Sequence, residues 1–192
     1  LGDGTTLSSG VPVAVTGGIA FASISAGGSY TCGLTADGSA YCWGNNANGQ
    51  FGNGTQTSSS TPTAAASGLK FLSITTGGGH VCGITTDAAY CWGANPSGQI
   101  PGSTSGINNQ AALLPVTLVV NGGTSTIRIV SAGDQHTCGL DSNNVAFCWG
   151  SNQYGALGTG DSSWGSGAPS MVGTAGGPPW TFRTISSGLV HT

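Results

Sequence analysis

One block of sequence recurs along this chain, and that recurrence limits the possible folds more than any other feature. The stretch FASISAGG beginning at Phe21 returns as FLSITTGG at Phe71, IRIVSAGD at Ile127 and FRTISSGL at Phe182, at offsets of 50, 56 and 55 residues. Three residues beyond each block stand TCGL at Thr31, VCGI at Val81, TCGL at Thr137 and a final Thr192. YCWG at Tyr41 and Tyr90 and FCWG at Phe147 follow, each leading into a loop that starts at Asn46, Asn95 or Asn152. A Pro-led extended stretch precedes each block at Pro12, Pro62, Pro115 and Pro169.

Cutting the chain at those prolines gives units 12–61, 62–114 and 115–168 and a partial unit 169–192, about three and a half repeats in one domain spanning 1–192. Residues 1–11 read as the tail of a preceding unit, because LGDGT at Leu1 copies FGNGT at Phe51. Each unit reads as four short strands: the Pro-led one, the Ile/Val-rich one and the two that flank the turn between its cysteines. Four antiparallel strands per repeat of about 50 residues is the pattern of β-propeller blades. The expected class is therefore all-β, as a propeller that is incomplete or part of a larger ring or assembly. The chain starts at Leu1 and stops where a cysteine is due, so we expect a processed or partial chain.

Composition agrees with this class. Gly supplies 36 of 192 residues, and Gly costs about 1 kcal/mol per helical position relative to Ala, which disfavours long helices. Lys70, Arg128 and Arg183 are the only Lys or Arg residues, and the acids are six Asp. Three scattered cations cannot form a phosphate-binding track, so nucleic acid is not an expected partner. Neither a polybasic patch for anionic lipid nor an apolar run of about 18 residues is present, so membrane insertion is not expected either.

Cysteine spacing sets the hairpin register. Directly opposed residues of an antiparallel hairpin share a constant index sum, which is 74 for Cys32 and Cys42, 173 for Cys82 and Cys91, and 286 for Cys138 and Cys148. Those sums place loops at Ala36-Asp37-Gly38, Thr86-Asp87 and Ser142-Asn143-Asn144, with Gly38 and Asn144 in the left-handed position. The spacing shifts with turn length, so that each pair stays face to face. Opposed Cα atoms lie roughly 4.5–5.5 Å apart, within disulfide reach. The expected bridges are Cys32–Cys42, Cys82–Cys91 and Cys138–Cys148. Spacings of eight and nine intervening residues do not suit zinc, and no metal site is expected. Three bridges imply an oxidising compartment, hence a secreted or cell-surface protein.

The repeat resembles the regulator of chromosome condensation family, in the bacterial secreted form with a Cys pair per repeat. The likeness is carried by Gly133 to Leu140, by the Asp37-Gly38 turn, by Tyr41 to Gly44 and by Asn46 to Gln50. It covers essentially the whole chain. The resemblance implies a propeller, usually of seven four-stranded blades, which would need about twice this length. It also implies a binding platform: members act in nucleotide exchange on a small GTPase, chromatin docking or inhibition of a secreted β-lactamase. The disulfides and scarce charge argue against the nuclear exchange role.

Most conspicuous side chains fall into repeat columns. His80, His136 and His191 share one column with Tyr30, and repeat-equivalent residues lie one blade apart rather than converging. We expect them to be structural, for example with a ring nitrogen bonded to a neighbouring backbone carbonyl. Trp43, Trp92 and Trp149 form another column, expected to pack between blades. Asn46, Asn95 and Asn152 are expected to hold their loops through side-chain-to-backbone bonds. Trp164 and Trp180 match no repeat position. They lie in Gly/Ser/Pro-rich insertions and are candidate contacts for a protein or glycan. The insertion at 102–112 has the same standing without the aromatics, and Asn53-Gly54-Thr55 is a glycosylation sequon.

No acid pair, phosphate loop or nucleophile elbow appears, so neither an enzyme nor a cofactor is expected. The favoured function is structural or adhesive: an extracellular propeller that associates with copies of itself. The alternative is a module, of inhibitor or adhesin type, that binds another extracellular protein or a glycan through its insertion loops.

Overall fold

The computed structural model describes residues 1–66, 68–102, 109–120, 123–160, 165–173 and 179–192. Three four-stranded antiparallel sheets stand side by side. The first holds β1 (Phe21–Ala26), β2 (Tyr30–Thr35), β3 (Ala40–Gly44) and β4 (Ser59–Ala64) in that order. The second holds β5 (Ser73–Thr76), β6 (His80–Ile84), β7 (Ala89–Ala94) and β8 (Asn109–Pro115). A two-stranded hairpin of β9 (Leu118–Val120) and β10 (Gly123–Ser125) precedes the third sheet. That sheet holds β11 (Ile127–Ala132), β12 (His136–Asp141), β13 (Ala146–Ser151) and β14 (Gly165–Met171).

The hairpin at the centre of each sheet follows from the local sequence. Cys32 pairs with Cys42, Cys82 with Cys91 and Cys138 with Cys148 in the strand registers. All three pairs are bridged, each with Cα atoms 4.1 Å apart. Thr85 N–H closes onto Ala88 O around Thr86-Asp87, a two-residue turn. The three-residue loops close from Thr35 to Ser39 and from Asp141 to Val145, with Gly38 at φ 80° and Asn144 at φ 65°.

Strand grouping differs from the units cut at proline. The Pro-led stretch closes the preceding sheet instead of opening its own: β4, with Pro62, pairs with β3, and β14, with Pro169, pairs with β13. A tandem repeat carries no intrinsic phase, so recurrence cannot say which sheet a boundary strand joins. Both prolines fall in register irregularities of an edge strand, where a missing N–H is tolerated. Pro115 is not their equivalent, because it lies opposite Tyr90 while Leu114 faces Cys91 as Thr63 faces Cys42.

The core is not inside the sheets but between them. One cluster joins Cys32, Cys42 and the loop residue Phe51 of the first blade to Phe71, Val81 and Trp92 of the second. Its repeat joins Cys82, Cys91 and Ile100 to Ile127 and Trp149. A third gathers Cys138, Cys148 and Leu157 with Val172 and Ile185. Four tight turns mark the inner ends of the blades, where Gly27, Gly77, Gly133 and Gly188 N–H groups reach the carbonyls of Tyr30, His80, His136 and His191. These turns approach closely: a Cβ on Gly27 would stand 2.7 Å from Gly77 O, and one on Gly77 would collide with Gly133 O.

Candidate functional site

The repeat columns converge on the faces between blades, and those faces are the chemically distinctive surfaces of the molecule. Two of the three disulfides lie in the same buried cluster as the indole of the following blade: Cys32–Cys42 with Trp92, and Cys82–Cys91 with Trp149. The indole also makes a directed contact. Trp92 Nε1 donates to Gln50 O at 2.8 Å, and Trp149 Nε1 donates to Gln99 O at 2.9 Å. Those carbonyls end the Asn-x-x-Gly-Gln loops, and the leading Asn fixes each loop. The Asn46, Asn95 and Asn152 Oδ1 atoms accept the N–H groups of Phe51, Ile100 and Leu157 at 2.8, 2.8 and 3.1 Å. Gly44, Gly93 and Gly150 enter these loops at φ near 100°, a conformation that L side chains rarely adopt.

Trp43 belongs to the same column. Leu1-Gly2 stands against its indole as Phe51-Gly52 stands against that of Trp92, and a Cβ on either Gly2 or Gly52 would lie 2.8 Å from the indole nitrogen. Within their own blades Phe21 and Phe71 pair with Trp43 and Trp92, at centroid distances of 5.5 and 5.7 Å.

The His column bridges blades, His80 through a side-chain hydroxyl and His136 through both a hydroxyl and the expected backbone of the next unit, at His191. His80 Nε2 lies 2.8 Å from Thr137 Oγ1 of the next blade, and Thr137 Oγ1 donates to Gln99 O at 3.0 Å. The Thr proton is thereby committed, so the imidazole Nε2–H is the donor. Gln99 O thus collects both the indole and the hydroxyl. Burial pushes the His80 pKa down to about 3, so the ring is neutral, and its Nδ1 has no hydrogen-bond partner among the described residues. His136 Nε2 meets Thr192 Oγ1 in the same way at 2.9 Å, and burial lowers its pKa too. His191 O accepts the turn bond from Gly188 N–H.

In the first interface the position of Thr137 is held by Val81, which has no hydroxyl. There Tyr30 replaces His and its hydroxyl extends to His80 O at 2.5 Å and Gly77 O at 3.1 Å. Column residue and facing residue therefore change together: Tyr with Val, His with Thr. Thr137→Val alone should cost about 1–3 kcal/mol by stranding the buried imidazole N–H. Adding His80→Tyr should recover most of that loss, as measured by urea unfolding. Equal loss in single and double variants would contradict the pairing.

Of the two off-repeat aromatics, Trp180 is exposed, at 59%, with its ring against Gly173. Trp164 lies outside the described residues, as does much of the 102–112 insertion. Sequence reasoning missed Tyr154, which is 80% exposed at the tip of the third loop and sits at φ 62°. Its signal was an aromatic at the position of Asn48 and Ser97. Lys70 clips the first hairpin to the second blade through Asp37 at 2.5 Å, an exposed pair that contributes little.

Fold and interfaces together define a β-propeller repeat protein with one disulfide per blade. Two family models, both described as Regulator of chromosome condensation (RCC1) repeat, match it, one at residues 21–50 and 127–156 and the other at 37–84. The chain is similar to the regulator of chromosome condensation repeat family over these stretches, and its three disulfides fit the Cys-paired form.

Solved structures share the fold. Human WBSCR16 superposes with a TM-score of 0.72 at 22% identity, over 90% of this chain and 43% of its own. Yeast RCC1 (Prp20), solved bound to Kap60, gives 0.71 at 19% identity over 92% and 42%. Prp20p from Saccharomyces cerevisiae, described with its binding to Gsp1p and histones, gives 0.71 at 19% over 92% and 43%. The chain spans less than half the length of these structures. No curated protein matches it in sequence.

Proposed function

We propose that this chain is a non-enzymatic, extracellular propeller module that works by binding protein, and that its partners include copies of itself. The observation that carries the reading is a blade face built to seat another blade. Ile74 on β5 and Val130 on β11 are packed into the interfaces between blades. A chain with three Lys or Arg residues has little charge repulsion to keep copies apart. Kap60, Gsp1p and histones are partners of the yeast relatives, and their being proteins supports a protein-binding role here.

Three buried disulfides suit an oxidising compartment and support the extracellular assignment. Among the described residues no helix is long and apolar enough to cross a membrane. A non-enzymatic role is supported by the distribution of polar side chains, since the His column is spread one residue per blade.

Sedimentation velocity over a concentration series tests the reading. The expected result is a mass that grows with concentration and changes little with salt. A monomer at the highest soluble concentration contradicts self-association. A second reading, an adhesin- or inhibitor-type module for another extracellular protein or a glycan, is favoured by the exposure of Trp180. In that case Trp180→Ala abolishes capture of the isolated ligand while the fold survives.

A further inference from the structure

Two neighbouring interfaces are closed at the same place by different chemistry. Between the first and second blades the column residue is Tyr30, whose hydroxyl donates to His80 O and Gly77 O. Between the second and third it is His80, with Nε2 on Thr137 Oγ1. A phenol keeps its proton throughout the acid and neutral range, and burial raises the Tyr30 pKa further. An imidazole takes up a second proton within that range. Of these two column contacts, the second alone contains a group whose charge changes as the medium acidifies.

The seat of His80 suits the neutral ring. The side chain is wholly buried, and its Nε2–H is spent on Thr137 Oγ1, whose own proton goes to Gln99 O. Protonation places a second N–H at Nδ1, which has no hydrogen-bond partner among the described residues. Nδ1 lies against the Gly77 turn, where a Cβ on Gly77 would stand 2.8 Å from it. The titratable groups around the ring give it no carboxylate. His136 of β12 opposes a charge on His80, Tyr30 reaches only His80 O, and Asp134 stands against Gly78. Tyr90 of β7 is in register with Gly83, and Arg128 of β11 bonds Asp141 O at the far end of β12. β5, the turn at 77–79 and the loops at 46–50 and 95–100 carry no charged or titratable residue. A buried cation with one N–H unanswered is relieved by exposing the ring to water, which means parting the two blades.

We propose that the contact between the second and third blades is an acid-released clasp: neutral His80 holds Thr137, and protonated His80 lets the third blade lift from the Cys82–Cys91 floor. Burial holds the imidazole below its ordinary value of 6.5, down to about 3. The stabilisation is therefore whole above 6.5 and is lost as the pH falls from there toward 3. Across the first interface Tyr30 keeps its grip over that window. The exposed Asp37–Lys70 clip there holds as well, because Lys70 keeps the Asp37 carboxyl below its ordinary range.

Reduction of the native chain by a phosphine, at about pH 7.5 and about pH 5.5, tests the clasp. The lower value lies above the ordinary carboxylate range, so imidazole titration dominates the difference. Freed thiols are alkylated and mapped by peptide mass. The rate at Cys82–Cys91 is read as a ratio to that at Cys32–Cys42, which cancels the reagent's own pH dependence. That ratio is expected to rise about tenfold at the lower pH, one factor of ten for the one pH unit below 6.5. It should stay flat in His80→Tyr/Thr137→Val, which copies the Tyr–Val pair of the first interface, with circular dichroism verifying the fold. Should that variant not fold, the wild-type ratio decides alone. A wild-type ratio that does not change with pH overturns the proposal, and so does a rise that persists in the folded double variant.

Discussion

Trp92→Ala is expected to lower the unfolding free energy by about 3–5 kcal/mol, the range for truncating a fully buried large aromatic. The indole is wholly buried between the first two sheets, in one cluster with Cys32, Cys42, Phe51 and Phe71. Truncation opens a cavity at the interface itself, where the rigid disulfide on one side and the Asn46-pinned loop on the other resist collapse. It also leaves Gln50 O without its indole donor. Urea unfolding monitored by circular dichroism reads the loss. A change under about 1 kcal/mol would show that adjacent blades do not depend on this contact. Trp149→Ala should behave alike at the second interface, where Gln99 O would retain Thr137 as a donor.

Removing the Cys82–Cys91 bridge by Cys82→Ala/Cys91→Ala is expected to cost about 2–5 kcal/mol, the usual range for a native disulfide. The residues are separated by 9 positions, so loop closure in the unfolded chain accounts for about 3 kcal/mol of that on the entropic model. The rest comes from packing, because both sulfurs are buried in the cluster that holds Ile127 and Trp149. The same bridge therefore restrains its own hairpin and forms part of the floor on which the next blade rests. Urea midpoints of the double variant against wild type, with equal slopes, measure it. An unchanged midpoint would mean that the hairpin register holds without the bridge.

The parts of this structure that were legible in sequence are those set within one hairpin. The distances between paired cysteines follow loop length, and so they encode the registers of β2–β3, β6–β7 and β12–β13. What required coordinates was the relation between neighbours. The strands with Pro62 and Pro169 join the preceding sheet because chain reversal after the Asn loop brings them back along β3 and β13, which a repeat phase does not record. The partner of His80 lies 57 positions away, and it faces the ring only because adjacent blades stack in register. Its trace was present nonetheless: Val81 follows Tyr30 one unit on, Thr137 follows His80 and Thr192 follows His136.

Native-state reduction of the individual disulfides tests most directly whether the bridges of the first two blades are sealed by the next blade's indole. The chain is exposed to a mild phosphine reductant without denaturant, and freed thiols are alkylated and mapped by peptide mass. The structure predicts that Trp92→Ala speeds reduction of Cys32–Cys42 and that Trp149→Ala speeds reduction of Cys82–Cys91, each at the blade before the substitution. If Trp92→Ala instead exposes Cys82–Cys91 in its own blade, or all three bridges equally, the stacking order described here is wrong.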